Sequence, residues 1–207
     1  MFLQAPADTP ATDRLFKSDV DDLGFVMNLS RLWAWRPEVF DAFAALRTLL
    51  TNKSSLSHRE SGVLVCATAA SLGDSYCALA WGKRLADASD PSTAAAVLQA
   101  AQSPAMTARD RALSVWARKV TGGPNATTRE DVEALRTAGL SEQEIFEATT
   151  FVAFRLAFST VNDALGARPD WQLAAEAPPE VRNAVTFGRP TSEPTHSAQR
   201  KPAGSDR

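Results

Sequence analysis

From Arg36 to Leu165, apolar side chains recur at three- and four-residue spacing, and the β-branched residues do not alternate in period two. That spacing lays a continuous apolar stripe along a helix and none along a strand. In Arg36–Leu50 the stripe is Val39, Phe40, Phe43, Leu46, Leu49 and Leu50, opened by Pro37 where a first helical turn tolerates a missing amide. Ala, Leu, Arg and Glu dominate throughout, which favours the same secondary structure.

The punctuation agrees. Ser57 with Glu60, and Ser141 with Glu144, have the spacing of capping boxes; they open helices over Leu56–Ala70 and Ser141–Leu165. Leu72-Gly73 breaks the first of these from a helix over Asp74–Ala88, and another starts at Asp90 or Ser92. Thr107–Thr121 is amphipathic and stops at Gly122-Gly123-Pro124, and Thr127/Thr128 opens a helix that closes at Gly139. Gly166 and Pro169 forbid continuation of the last. The prediction is an all-α bundle of about seven or eight helices in one domain, residues 14–188. Residues 1–13 read as an arm, and residues 189–207, rich in Pro, Ser, Thr and charge, as a disordered tail.

Composition excludes several function classes. With 44% hydrophobic and 22% charged residues the chain can build a core. A net charge of −2 and a pI near 5.7 supply no basic field for nucleic acid. No apolar run nears the roughly 20 residues of a membrane span, and the N-terminus lacks a basic n-region and an h-region. The expectation is a soluble, cytoplasmic protein without nucleic-acid or membrane partners. Two cysteines give no disulfide framework and no zinc cluster, and no phosphate loop or dinucleotide motif occurs. No metal and no cofactor is therefore expected.

One segment carries chemistry: Leu56–Ala86, "LSHRESGVLVCATAASLGDSYCALAWGKRLA". If Asp74 is the N-cap of the helix after Gly73, Cys77 is its third residue, where free amides and the positive dipole end favour a thiolate. Asp74 opposes a second negative charge there, and its simplest role is to accept the amide of Tyr76 or Cys77.

This stretch, in its context, resembles the alkylhydroperoxidase-D-like, carboxymuconolactone-decarboxylase superfamily, and within it the uncharacterised peroxidase-related branch. The resemblance runs from Gly24 to Trp171 and is carried by "GFVMNL" (Gly24–Leu29), "RPEVF" (Arg36–Phe40), "LSHRE" (Leu56–Glu60), the segment Asp110–Phe154 and "ALG" (Ala164–Gly166). It implies the superfamily's helical fold, a homo-oligomer and a thiol peroxidase. The superfamily's motif is a Glu, a Cys-x-x-Cys starting twelve residues on, and a His four after the second Cys. It falls here on Gly62, Asp74, Cys77 and Trp81, so only the attacking cysteine is kept. Ser159-Thr160 stands where the branch often carries Asn-Arg. Glu60 lies two residues from the missing Glu, a rotation of about 200° along a helix, and should face away.

The candidate catalytic residues are thus Cys77 and Asp74, with Tyr76 and Trp81 as candidate substrate-binding residues. Each has a plainer reading: Cys77 as a small buried hydrophobe, Asp74 as a cap, Tyr76 as a packed aromatic with a satisfied hydroxyl, Trp81 as an apolar wall where the superfamily has His. Cys66 reads as core, His58 as solvated, and His196 lies in the tail. Arg155, inside "FVAFRLAF", is expected to snorkel or to form a structural ion pair or subunit contact rather than an anion site.

Three functions follow: a single-cysteine peroxidase using an external thiol; a cysteine-independent, decarboxylase-like enzyme with Asp74 as base; or a non-catalytic oligomer that binds a small apolar ligand.

Overall fold

Most helix starts in this chain are marked by a side chain that accepts the first free amides, and a computed structural model describing residues 1–194 shows where each falls. The helices are α1 (Pro10–Leu23), α2 (Asn28–Trp33), α3 (Pro37–Asn52), α4 (His58–Leu72), α5 (Ser75–Ala88) and α6 (Pro91–Leu98). After these come α7 (Ala108–Gly122), α8 (Arg129–Thr137), α9 (Glu142–Ala164), α10 (Trp171–Glu176) and α11 (Pro179–Ala184), with a short 3₁₀ turn at Pro124–Ala126. The described residues hold no strand, and eight of the eleven helices exceed six residues. The all-α expectation holds.

The boxes at Ser57/Glu60 and Ser141/Glu144 form as the sequence predicts, and Thr107 with Asp110 and Thr128 with Asp131 make two more. Two boundaries differ. Helix α1 begins at Pro10, inside the segment read as an arm, because Thr9 and Thr12 cap it reciprocally. Residues 189–194, read as the start of a disordered tail, lie against the body. The Arg189 carbonyl accepts the Ser75 hydroxyl at 2.7 Å, and the Ser192 amide donates to the Pro169 carbonyl at 2.7 Å. The strap passes so close to the α4–α5 turn that a Cβ on Gly188 would stand 2.3 Å from the Gly73 carbonyl oxygen. His196 and the rest of the predicted tail lie outside the described residues.

The core is built on the α4–α5 hairpin, with α7, α9, α6 and α11 packed around it. Its fully enclosed side chains include Val63, Leu64, Leu85, Leu113, Phe151 and Val152. Burying each such side chain contributes about 1.5–3 kcal/mol. Helices α1, α2 and α3 close over α5 and α9, held by an aromatic cluster. Trp33 stacks on Phe158 at 5.3 Å between centroids and leans on Phe43 at 5.0 Å, while its indole N–H donates to Asn162 Oδ1 at 2.8 Å. The space left between these two layers is the main cavity. No described helix is long and apolar enough to cross a membrane.

Candidate functional site

Gly73, left-handed at φ +74°, ends α4 and lets the chain reverse within one residue. Asp74 then caps α5, its Oδ1 accepting the Cys77 amide at 2.9 Å. That bond leaves Cys77 in the first turn of α5, at the wall of a cavity of about 430 Å³. The thiol is 3% exposed. Its Sγ accepts a hydrogen bond from Arg155 Nη2 at 2.7 Å and one from the Ser159 hydroxyl at 3.7 Å.

Arg155 thereby departs from its expected role. It lies deep in α9 at 3% exposure, and among the described residues no carboxylate pairs with it. Its guanidinium instead rests among rings, 5.0 Å from Phe158, 5.7 Å from Trp81 and 5.9 Å from Phe154, with Nε left without a partner. A buried cation with no acid is costly unless an anion forms beside it, and the nearest group able to become one is the Cys77 thiol.

Burial pushes the Cys77 thiol well above the ordinary cysteine range, Arg155 pulls it back, and Asp74 adds to the rise. Cys66, on α4 and wholly enclosed, is pushed up to about 12 by burial and makes no hydrogen bond through its sulfur. Both cysteines are free thiols.

The other candidates sort by what they touch. Trp81 lines the cavity and stands between two guanidiniums, with Arg84 4.9 Å from its ring on α5 and Arg155 reaching it from α9. Tyr76 also lines the cavity, but its hydroxyl donates to Asp170 and accepts the Leu29 amide at 3.5 Å, so burial and that carboxylate raise the phenol well above its usual value. Asp170 in turn accepts the Asn28 amide, tying α2 to the segment after α9. Asp74 is fully buried and takes no part in the cavity wall; among the described residues its Oδ2 has no partner. Burial and Asp74 together push the carboxyl of Asp163 up to about 7.

At the superfamily's relay position, Gly62 is pressed against α5: a Cβ there would lie 3.1 Å from Leu85 Cβ. Glu60, as its spacing predicts, faces elsewhere and pairs with Arg109 of α7. His58 is exposed and borders a second hollow of about 360 Å³, with Arg47, Arg84, Trp81 and Ser61.

Sequence reasoning singled out Arg155 but not its sulfur partner, and it missed Arg47, Arg84 and Asp170. An arginine inside an apolar helical run is a visible signal; which residue it meets depends on packing between α5 and α9.

Among the described residues, no group of three His, Cys, Asp or Glu is placed to hold a metal.

The fold is that of the alkylhydroperoxidase-D-like superfamily. An alkylhydroperoxidase-D-core, uncharacterised peroxidase-related protein from Ralstonia eutropha JMP134 shares 26% identity and matches with a TM-score of 0.72 over 83% of this chain and 93% of its own. A peroxidase-related protein from Silicibacter sp. TM1040 matches at 0.73 with 23% identity over the same shares, 83% and 93%. The debrominase Bmp8 matches at 0.71 with 15% identity, over 89% of this chain and 98% of its own. A cysteine-to-alanine variant of that debrominase has been solved with 2,3,4-tribromopyrrole. No protein-family model and no curated protein matches the sequence.

Proposed function

We propose that the protein is a single-cysteine thiol oxidoreductase that reduces small organic hydroperoxides, with Cys77 as nucleophile. One observation carries this: a thiol at the wall of a ligand-sized cavity receives a hydrogen bond at 2.7 Å from a buried arginine that has no carboxylate partner among the described residues. The peroxidase-related names of two neighbours with this fold point the same way, and the debrominase is another relative in fold whose structure was solved as a cysteine variant with a small ring compound.

The chemistry balances without a metal or organic cofactor. Cys77–SH and ROOH give Cys77–SOH and ROH: the S–O bond forms, the O–O bond breaks, and the thiol proton ends on the departing alkoxide oxygen. Sulfur is oxidised and the peroxide reduced. The Arg155 guanidinium stabilises the thiolate before attack and the sulfenate after it. Position 74 is Asp, so no second cysteine stands in the motif to resolve the sulfenic acid, and Cys66 is an enclosed thiol raised to about 12. A small external thiol therefore condenses with Cys77–SOH, releasing water, and a second equivalent of that thiol frees Cys77 as a disulfide leaves. Trp81 replaces the superfamily's His with a ring that holds Arg155 and Arg84 rather than a proton carrier. Turnover should accordingly be slow, since general acid–base help is worth about 10²–10⁴ in rate.

Asp74 is a poor candidate for the base of a decarboxylase-like reaction, because its Oδ1 is engaged by the Cys77 amide and the cavity wall does not include it. The proposal includes assembly with further copies of the chain: α3 buries none of its residues fully and leaves Leu46 and Leu49 exposed.

Cumene hydroperoxide with a sulfenic-acid trap, followed by peptide mass spectrometry, tests the chemistry. Adduct at Cys77 with Cys66 spared is the expected result. An unmodified Cys77, or equal modification of the two in folded protein, contradicts it.

A further inference from the structure

Arginines on this protein are, as a rule, engaged. Arg59 pairs with Asp110, Arg109 with Glu60 and Glu144, and Arg136 with Glu133 and Glu142, while Arg118 donates to the Val97 carbonyl. Five described arginines, Arg31 and Arg129 among them, meet no carboxylate or carbonyl, and the other three line the cavity that holds Cys77: Arg47 from α3, Arg84 from α5 and Arg155 from α9. None is in an ion pair among the described residues, and neither Arg47 nor Arg84 donates a side-chain hydrogen bond to the protein there.

Their grouping is unfavourable as it stands. Arg84 is lowered by lost hydration and then by Arg47 and Arg155, and Arg47 by lost hydration and then by Arg155, so the three cations feel one another. Like charges held together without counter-charge are the arrangement that an incoming anion relieves. Arg155 Nε is buried and unpartnered at the same place. The carboxylates of the cavity, Asp19, Asp22 and Asp41, belong to α1 and the start of α3; Asp19 accepts the Met27 amide, and none is within ion-pair distance of the three arginines. Arg14 of α1 lines the same cavity and donates to the Pro10 carbonyl. Arg47 and Arg84 also border the second hollow, beside the buried and unpartnered hydroxyl of Ser61.

We infer that the cavity takes an apolar carboxylic acid, its carboxylate held between Arg47 and Arg84 and its body lying on Trp81 and Phe158 toward Cys77 and Arg155. This rests on the reading of the cavity as the substrate site and names the substrate class: an acid-bearing hydroperoxide rather than a neutral one. Bidentate guanidinium–carboxylate bonds fix the near end of such a molecule, and the apolar wall selects its body.

The probes are octanoate and octanamide, equal in length and differing in charge, titrated calorimetrically into the whole protein without any hydroperoxide. Octanoate should bind at least tenfold more tightly, and the R47Q/R84Q double variant should lose that preference. Both side chains lie partly in water and partly against the cavity wall, and circular dichroism checks that the double variant keeps its fold. Equal affinities, no binding of either probe, or a preference surviving in the double variant each overturns the inference. An inert Cys77 with the charge preference intact would remove the peroxidase reading alone; a reactive Cys77 with no preference would remove this one alone.

Discussion

Cys77 is held by two opposing effects, and its reactivity depends on their balance. Burial disfavours the thiolate and raises the thiol, while Arg155 at 2.7 Å favours the thiolate. With the thiol raised above its ordinary value, the thiolate fraction climbs tenfold per pH unit across the neutral range. Alkylation of Cys77 by a small uncharged reagent should therefore rise steadily from pH 6 to 9 with no plateau, read by peptide mass spectrometry. A plateau near pH 7 would mean that Arg155 outweighs burial. The position of Cys77 was legible in the sequence, since Gly73 and Asp74 dictate a helix start three residues before it. Its partner was not. Arg155 is 78 residues away and meets the sulfur only because α9 crosses α5, a relation that local periodicity does not encode.

Elements are set mainly by their caps and by how closely they pack. The boxes at Ser57 and Ser141 place two helix starts correctly, whereas α1 escaped notice because Thr9, Pro10 and Thr12 read as turn chemistry although they cap a helix. Close packing decides what Gly62 can become. With a Cβ only 3.1 Å from Leu85 Cβ, Gly62→Ala requires α5 to yield by a few tenths of an ångström, which should cancel the gain of about 1 kcal/mol that alanine brings to a helix interior. Gly62→Glu, which rebuilds one position of the superfamily's relay, should be worse and should not speed Cys77 oxidation. Thermal unfolding and the trapping rate measure the two effects. A stable, faster Gly62→Glu protein would show that the α4–α5 seam yields easily and that the relay position is still open to the site.

At the scale of the whole molecule, two enclosed thiols make the protein sensitive to alkali. Cys66 rises from 9.0 to about 12 on folding, and Cys77 rises as well. In both cases the folded state keeps its proton over a range in which the unfolded chain loses it. The contribution is fully present below pH 9 and is lost as pH rises toward 12. Wild-type stability should fall over that range more steeply than that of Cys66→Ala, measured by denaturant unfolding at matched ionic strength. Parallel curves would contradict the burial of Cys66. The bundle itself was readable from composition and spacing, because all-α packing follows from helical stripes. The division into a core and a three-helix cover was not, because the cover is held by contacts distant in sequence such as Trp33 with Asn162 and Asn28 with Asp170.

The pairing of Cys77 with Arg155 is the centre of this account, and the rate of Cys77 sulfenylation tests it most directly. Single-turnover oxidation by tert-butyl hydroperoxide, quenched with a trap and read by mass spectrometry, should be roughly tenfold to a hundredfold slower in Arg155→Met than in wild type. Arg155→Lys should recover part of the loss. Circular dichroism controls for folding. Equal rates in wild type and Arg155→Met, with folding intact, would mean that the guanidinium does not activate the thiol.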